Sequence, residues 1–200
     1  MTTNQREDTF LSLQGAFDAL AFLFLQPEEE AGGGALAAAA EAVAQAAQKP
    51  GAEGLDPARL AGLKAIADGS TDSLELSKAY AKLFLGVGVK TIPLCESAWT
   101  SPQHLLCQSA QFECRKAYAE AGLGLSGGPA VPEDHLGLML AFLSVTALRN
   151  EAATGLAFFD AHVAPIAACI ARAVKGAGEA AGHYAEVVDV LEGAVELLRK

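Results

Sequence analysis

The chain has 200 residues, a length that suits one domain or at most two small ones. It is 52% hydrophobic and only 19% charged, a composition that excludes intrinsic disorder. Its 14 Lys and Arg stand against 24 Asp and Glu, and the resulting formal charge of -10 speaks against nucleic acid and anionic lipid and favours basic ligands.

Met1 to Asp8 lacks the basic start and small-residue cleavage site of a secretory signal. Phe10, Leu13, Phe17, Leu20, Ala21 and Phe24 then step by three and four, which predicts a first helix with one apolar face, ending at Gln26-Pro27. Gln14, Gly15 and Asp18 interrupt that apolar patch, so it does not read as a membrane span. Ala31 to Gln48 reads as a second helix, closed by Lys49-Pro50-Gly51, and its Ala-rich stretch Ala35 to Ala47 is too short and too weakly apolar to span. A third runs from Asp56-Pro57 to Ala67, with Asp56 as N-cap and Pro57 in the first helical position. Asp72 to Leu85 is a fourth, ending at Gly86-Val87-Gly88, and Val89 to Trp99, aperiodic and broken by Pro93, reads as a loop.

Ser101-Pro102 is expected to open a fifth helix whose small apolar face is Cys107, Ala110, Cys114, Ala117 and Ala121, and Gly122 stops it. Gly124 to Pro129 reads as a flexible connection, and Pro132 as the start of a sixth helix carrying Leu136, Met139, Leu140, Leu143 and Ala147. Gly155 to Val174 is a seventh, kinked or restarted at Pro165. The eighth has the cleanest stripe, from Tyr184 through Val188 and Leu191 to Leu198. No alternating strand pattern occurs. The fold class is therefore all-α: a single-domain bundle of about eight helices over residues 1–200.

Gly122-Leu123-Gly124-Leu125-Ser126-Gly127 matches G-x-G-x-x-G, but it follows a helix instead of a strand, so it reads as a glycine C-cap and loop. Four cysteines (Cys95, Cys107, Cys114, Cys169) make no disulfide framework, and reduced thiols are the simplest reading. His104, Cys107 and Cys114 have no second ligand pair at zinc spacing, so core packing is preferred over a metal. Glu133-Asp134-His135 follows Pro132. Acids in a first helical turn offset the macrodipole, which leaves His135 without a reason unless it has a partner. Trp99, the only tryptophan, is as readily a core plug as a contact residue.

Taken in order, these landmarks resemble the TorD/DmsD family of redox-enzyme maturation chaperones, a group related to NarJ-type proteins. Tyr80-Ala81-Lys82-Leu83-Phe84 is similar to the family's Y-x-x-L-F helix, and Pro93-Leu94-Cys95-Glu96-Ser97-Ala98-Trp99 to its proline, acid-serine and aromatic loop. Tyr118, Gly122 and Leu123 match a helix end. Pro132-Glu133-Asp134-His135-Leu136 resembles the family's most diagnostic motif, and Phe159-Asp160-Ala161-His162-Val163-Ala164-Pro165 a late helix. Leu94 and Ile166 stand where the family often has aromatics. The resemblance runs from about the fourth helix to the C-terminus.

The resemblance implies a cytoplasmic, non-enzymatic chaperone that binds the twin-arginine signal peptide and the apoprotein of a molybdopterin oxidoreductase, aiding cofactor insertion and proofreading before export. It implies no catalytic residue, no metal and no cofactor of its own, and a monomer or domain-swapped homodimer hinged at Gly124 to Pro129. The implied signal-peptide site is Asp134 and His135, with Glu96, Ser97 and Trp99 as neighbours and Tyr80 and Phe84 lining the same groove. An acidic chain with an apolar groove complements a leader with a basic start and a hydrophobic segment. Burying ~500 Å² of apolar peptide contributes roughly 12 kcal/mol. Ordering ~10 residues and losing overall mobility costs a comparable amount, so affinity near micromolar is expected. The alternative is a nucleotide-binding or nucleotide-hydrolysing helical switch around Asp134, His135 and His162. An Asp-His corner sealed inside, with no cleft leading to it, would overturn the signal-peptide reading.

Overall fold

The apolar stripe from Phe10 to Phe24 is carried by two helices, not one. The computed structural model describes residues 2–25, 31–49, 55–87, 91–124 and 131–199. In it α1 (Thr3–Ser12) and α2 (Gln14–Phe24) meet at Leu13, whose φ of -88 and ψ of 4 leave the helical region and bend the chain. The expected face is buried all the same: Phe10, Leu13, Phe17, Leu20, Ala21 and Phe24 all lie in the core. Thr2 and Gln5 form a capping box ahead of α1.

Next come α3 (Gly32–Ala46), α4 (Pro57–Asp68) and α5 (Ser73–Phe84). Asp56 caps α4 by accepting from the Ala58 N–H at 3.0 Å, with Pro57 in the first turn, and Asp72 caps α5 through Leu74 N–H at 2.9 Å. A single turn, α6 (Ser97–Thr100), lies inside the stretch expected to be loop. The break at Leu13 and this turn raise the count from the expected eight to ten helices among the described residues.

Two helix starts differ from expectation. α7 (Ser109–Glu120) begins well after Pro102, because the Ser101 hydroxyl accepts from the Leu105 N–H at 2.9 Å and offers the backbone a turn in place of a helix. His104 and Cys107 then adopt positive φ values of 54 and 59, so Cys107 lies outside the helix and is exposed, while Ala110 and Cys114 of the expected face are buried. α8 (Leu136–Leu148) begins after His135 instead of at Pro132.

The late apolar segment is one long helix, α9 (Ala152–Gly176), with a π-helical turn over Phe159–Val163. Pro165 offers no N–H and crowds the preceding turn, and the helix widens there instead of breaking. Within this turn the Ala164 N–H reaches back to Phe159 O. The turn brings Phe158, Phe159, His162 and Val163 all to the buried side. α9 is long and apolar enough to cross a membrane by length and composition, but more than half of its apolar window packs inside the fold as a core helix does.

α10 (Tyr184–Leu198) packs on α9, and α2 lies between α3 and α8. Tyr184 donates its hydroxyl to Leu23 O at 2.6 Å and ties the last helix to the centre. One core cluster runs from Phe10 to Leu198, and the chain is a single all-α domain. Among the described residues there is no β-strand, only one isolated antiparallel bridge between Cys95 and His135. The expected endings at Gln26-Pro27, Pro50-Gly51 and Gly88, and the connection beyond Gly124, lie outside the described residues.

Candidate functional site

The bridge marks where the Pro93–Trp99 loop meets the Pro132–Leu136 segment. Leu136 N–H donates to Leu94 O at 2.8 Å and Glu96 N–H to Asp134 O at 2.9 Å, so the two stretches run extended side by side. That pairing, together with the His135 N–H to Pro132 O turn at 3.0 Å, keeps Pro132 out of a helix.

Each residue of the Glu133-Asp134-His135 triplet then holds a different helix. Glu133 accepts from Gln111 Nε2 at 2.5 Å and Arg115 Nε at 2.6 Å, both on α7, and its carbonyl accepts the Tyr118 hydroxyl at 2.8 Å. The Arg115 hydrogen bond outweighs burial and holds the Glu133 carboxyl down at about 2. Asp134, 0% exposed, accepts from Ser97 N at 2.8 Å and from the Ser97 hydroxyl through the same oxygen, capping α6, while its Oδ1 has no hydrogen-bond partner. His135 is the N-cap of α8: its Nδ1 accepts from the Gly137 N–H at 3.2 Å. Burial lowers its pKa to about 4, against a smaller opposing pull from Asp134. The reason His135 lacked in the sequence is thus a cap, and the imidazole is neutral.

Glu96 and Ser97 sit as neighbours of Asp134, but buried. Glu96 accepts from His162 Nδ1 at 2.8 Å, a hydrogen bond to the π turn of α9. Trp99 is half-buried and donates its indole N–H to Pro93 O at 3.0 Å, pinning its own loop. Tyr80 and Phe84 belong to the core: with Phe24 and Tyr184 they form a cluster of tilted and edge-on rings, and the Tyr80 hydroxyl donates to Phe24 O at 3.3 Å. The seven expected site residues are therefore split. Five build one joint around Asp134, and two sit in an aromatic core.

Among the described residues, the trough expected at the Asp-His corner does not open there, because Asp134 and His135 are covered. An open cleft of about 560 Å³ lies next to it, between α7, α8 and α9. Its floor is Phe142, Phe158 and Ala117, Glu120 and Glu151 stand in its lining, and His162 reaches it from the Glu96 pair. Phe142 also walls a smaller apolar cleft of about 160 Å³ with Tyr118, Leu123 and Val145. Tyr118, Phe142 and Phe158 form a cluster of tilted rings with centroids 4.5 to 5.7 Å apart, and the Tyr118 hydroxyl ties it to the motif at Glu133 O. Glu120, Glu151 and the aromatic pair Phe142 and Phe158 were not singled out in the sequence. They look like ordinary helix surface and core there, and only His162 carried a signal, through its motif.

The groups offered for a nucleotide switch are each engaged with a partner inside the fold. Asp134 is taken by Ser97, His135 by its cap and His162 by Glu96. Gly122, at φ +67, ends α7 as expected of a C-cap.

No curated protein matches the chain. A family model described as nitrate reductase delta subunit matches residues 35–175, from α3 almost to the end of α9, which includes every residue of the joint and of the cleft's lining. The match reaches further back than the motifs did, and it stops before α10. On this match the chain belongs to the nitrate reductase delta subunit family, a family of redox-enzyme maturation chaperones related to TorD and DmsD.

Proposed function

We propose that this chain is a cytoplasmic chaperone that holds the apo form of a molybdopterin oxidoreductase by its twin-arginine signal peptide until the cofactor is inserted. The observation that carries the reading is the 560 Å³ cleft: an apolar floor of Phe142 and Phe158 with the carboxylates of Glu120 and Glu151 in its lining. A leader's hydrophobic segment suits the floor and its arginines suit the rim. Glu120 is held only by a 3.7 Å contact with exposed Lys116, so it is free to exchange partners. The net charge of -10 steers a basic leader toward the protein.

In this reading Asp134 and His135 act on the peptide by holding the loop, α7 and α8 in place, and an arginine is received by the rim. Tyr80 and Phe84 support the fold behind it. The test is titration calorimetry with a synthetic twin-arginine leader. The Glu120→Gln, Glu151→Gln double variant is expected to bind roughly 5- to 30-fold more weakly, a loss of about 1–2 kcal/mol for two partly exposed charge contacts. The association rate should fall as salt rises. Asp134→Asn should weaken binding with helicity kept. Wild-type affinity in the double variant would refute the cleft as the leader's seat, and failure of arginine-pair leaders to bind at all would refute the function.

A further inference from the structure

Three separate elements bring a different set of donors together. Glu96 precedes α6, Cys114 lies mid-way along α7, and His162 projects from the π turn of α9, all three buried. Their ligand atoms lie within 4.8 Å of one another. Carboxylate, thiol and imidazole at such spacing form a mixed donor set that suits zinc-like ions better than magnesium or calcium, which prefer oxygen alone.

The charge around the set points the same way. The carboxyl groups of Glu96, Asp134, Glu113 and Glu133 lie near enough to Cys114 to act on its sulfur, so acidic groups surround the set. Of those acids, Glu133 is paired with Arg115, whereas Asp134 is 0% exposed, its carboxylate bonded only to Ser97 and with one oxygen unpartnered. Buried carboxylates need a cation or a full set of donors, and this group has neither in full.

We propose that Glu96, Cys114 and His162 form a binding site for one zinc-like divalent transition-metal ion. The ion replaces the proton between His162 Nδ1 and Glu96 Oε2. Their 2.8 Å separation opens to the ~3.3 Å that two ligands about 2.0–2.1 Å from a tetrahedral centre require. The imidazole proton moves to Nε2, and the Cys114 thiol loses its proton to solvent, so each ion bound releases one proton. His162 also lines the cleft, which supplies the route in. The site clamps the motif loop, α7 and α9 together, and it stands independently of leader binding.

Cobalt is the probe, added to the full chain after chelator treatment. One equivalent is expected to produce a sulfur-to-cobalt charge-transfer band that zinc abolishes, and zinc should raise the thermal midpoint. Cys114→Ser should remove the band, and His162→Gln should weaken binding roughly 100-fold or more, beyond the loss usual for a supporting residue. Cys107→Ser, which alters an exposed thiol outside the set, should leave the band intact. Circular dichroism checks that the variants fold. Where Cys114→Ser does not fold, proton release by the wild-type chain on adding zinc decides. No band, a band surviving Cys114→Ser or lost in Cys107→Ser, or zinc uptake without proton release would each overturn the site.

Discussion

Ser97 shows how much one hydroxyl does in this fold. It donates to Asp134, its own N–H donates to the same carboxylate oxygen at 2.8 Å, and its oxygen accepts from Gln108 N–H at 3.2 Å. A hydrogen bond to a buried charge contributes about 1.5–3 kcal/mol, and an abandoned buried acceptor adds to the loss. Ser97→Ala is therefore expected to destabilise the chain by about 2–3 kcal/mol, measured by urea unfolding. A change below about 0.5 kcal/mol, the usual range for surface substitutions, would mean that Asp134 finds another donor. The acid-serine and Asp-His residues were legible in the sequence as motifs. That they belong to one joint was not, because 37 residues separate Ser97 from Asp134 and only the tertiary fold brings them together.

Helix positions were legible wherever the apolar period was uncontested, and misplaced wherever a local side chain competed with the helix. The caps at Asp56 and Asp72 lie where their residue types indicated. Pro102 and Pro132 were misread as helix starts because a proline pre-sets φ equally well for a turn, and Ser101 and the loop pairing decide between the two. The packing of α9 on α1 rests on a residue that periodicity cannot flag. At Gly155 a Cβ would stand 2.1 Å from Phe10 Cζ and 2.6 Å from Thr146 Oγ1. Phe10 is fully buried against Phe17, with ring centroids 5.3 Å apart, so it has little room to yield. Gly155→Ala is expected to cost about 1–3 kcal/mol. That lowers the thermal midpoint by roughly 2–4 °C per kcal/mol in a chain of this size. An unchanged midpoint would show that the two helices separate freely.

The molecule as a whole should lose stability in acid in two stages. His135 is held at about 4 against an ordinary 6.5. Between those values the unfolded chain binds a proton that the folded chain refuses, so its contribution is full above pH 6.5 and is lost as pH falls through 4. Glu133, held at about 2 against 4.5, contributes fully above 4.5 and loses that contribution as pH falls toward 2. Of these two groups only His135 acts between pH 6.5 and 4.5. The urea midpoint should fall across that window, and His135→Asn, which keeps a capping side chain but does not titrate, should flatten the fall. A slope unchanged in His135→Asn would exclude the histidine as its source.

What the sequence by itself determined is the all-α class, the order of the helices, the acidic surface and the family landmarks. All of these depend on residue type and short spacing, which solvent and backbone sterics read locally. Tertiary structure alone decided that the Asp-His corner is a covered joint, that the open cleft lies beside it, and that Glu96, Cys114 and His162 meet. Those outcomes depend on which faces pack together across long separations in the chain, and on a π turn that rotates His162 inward. No local period encodes either.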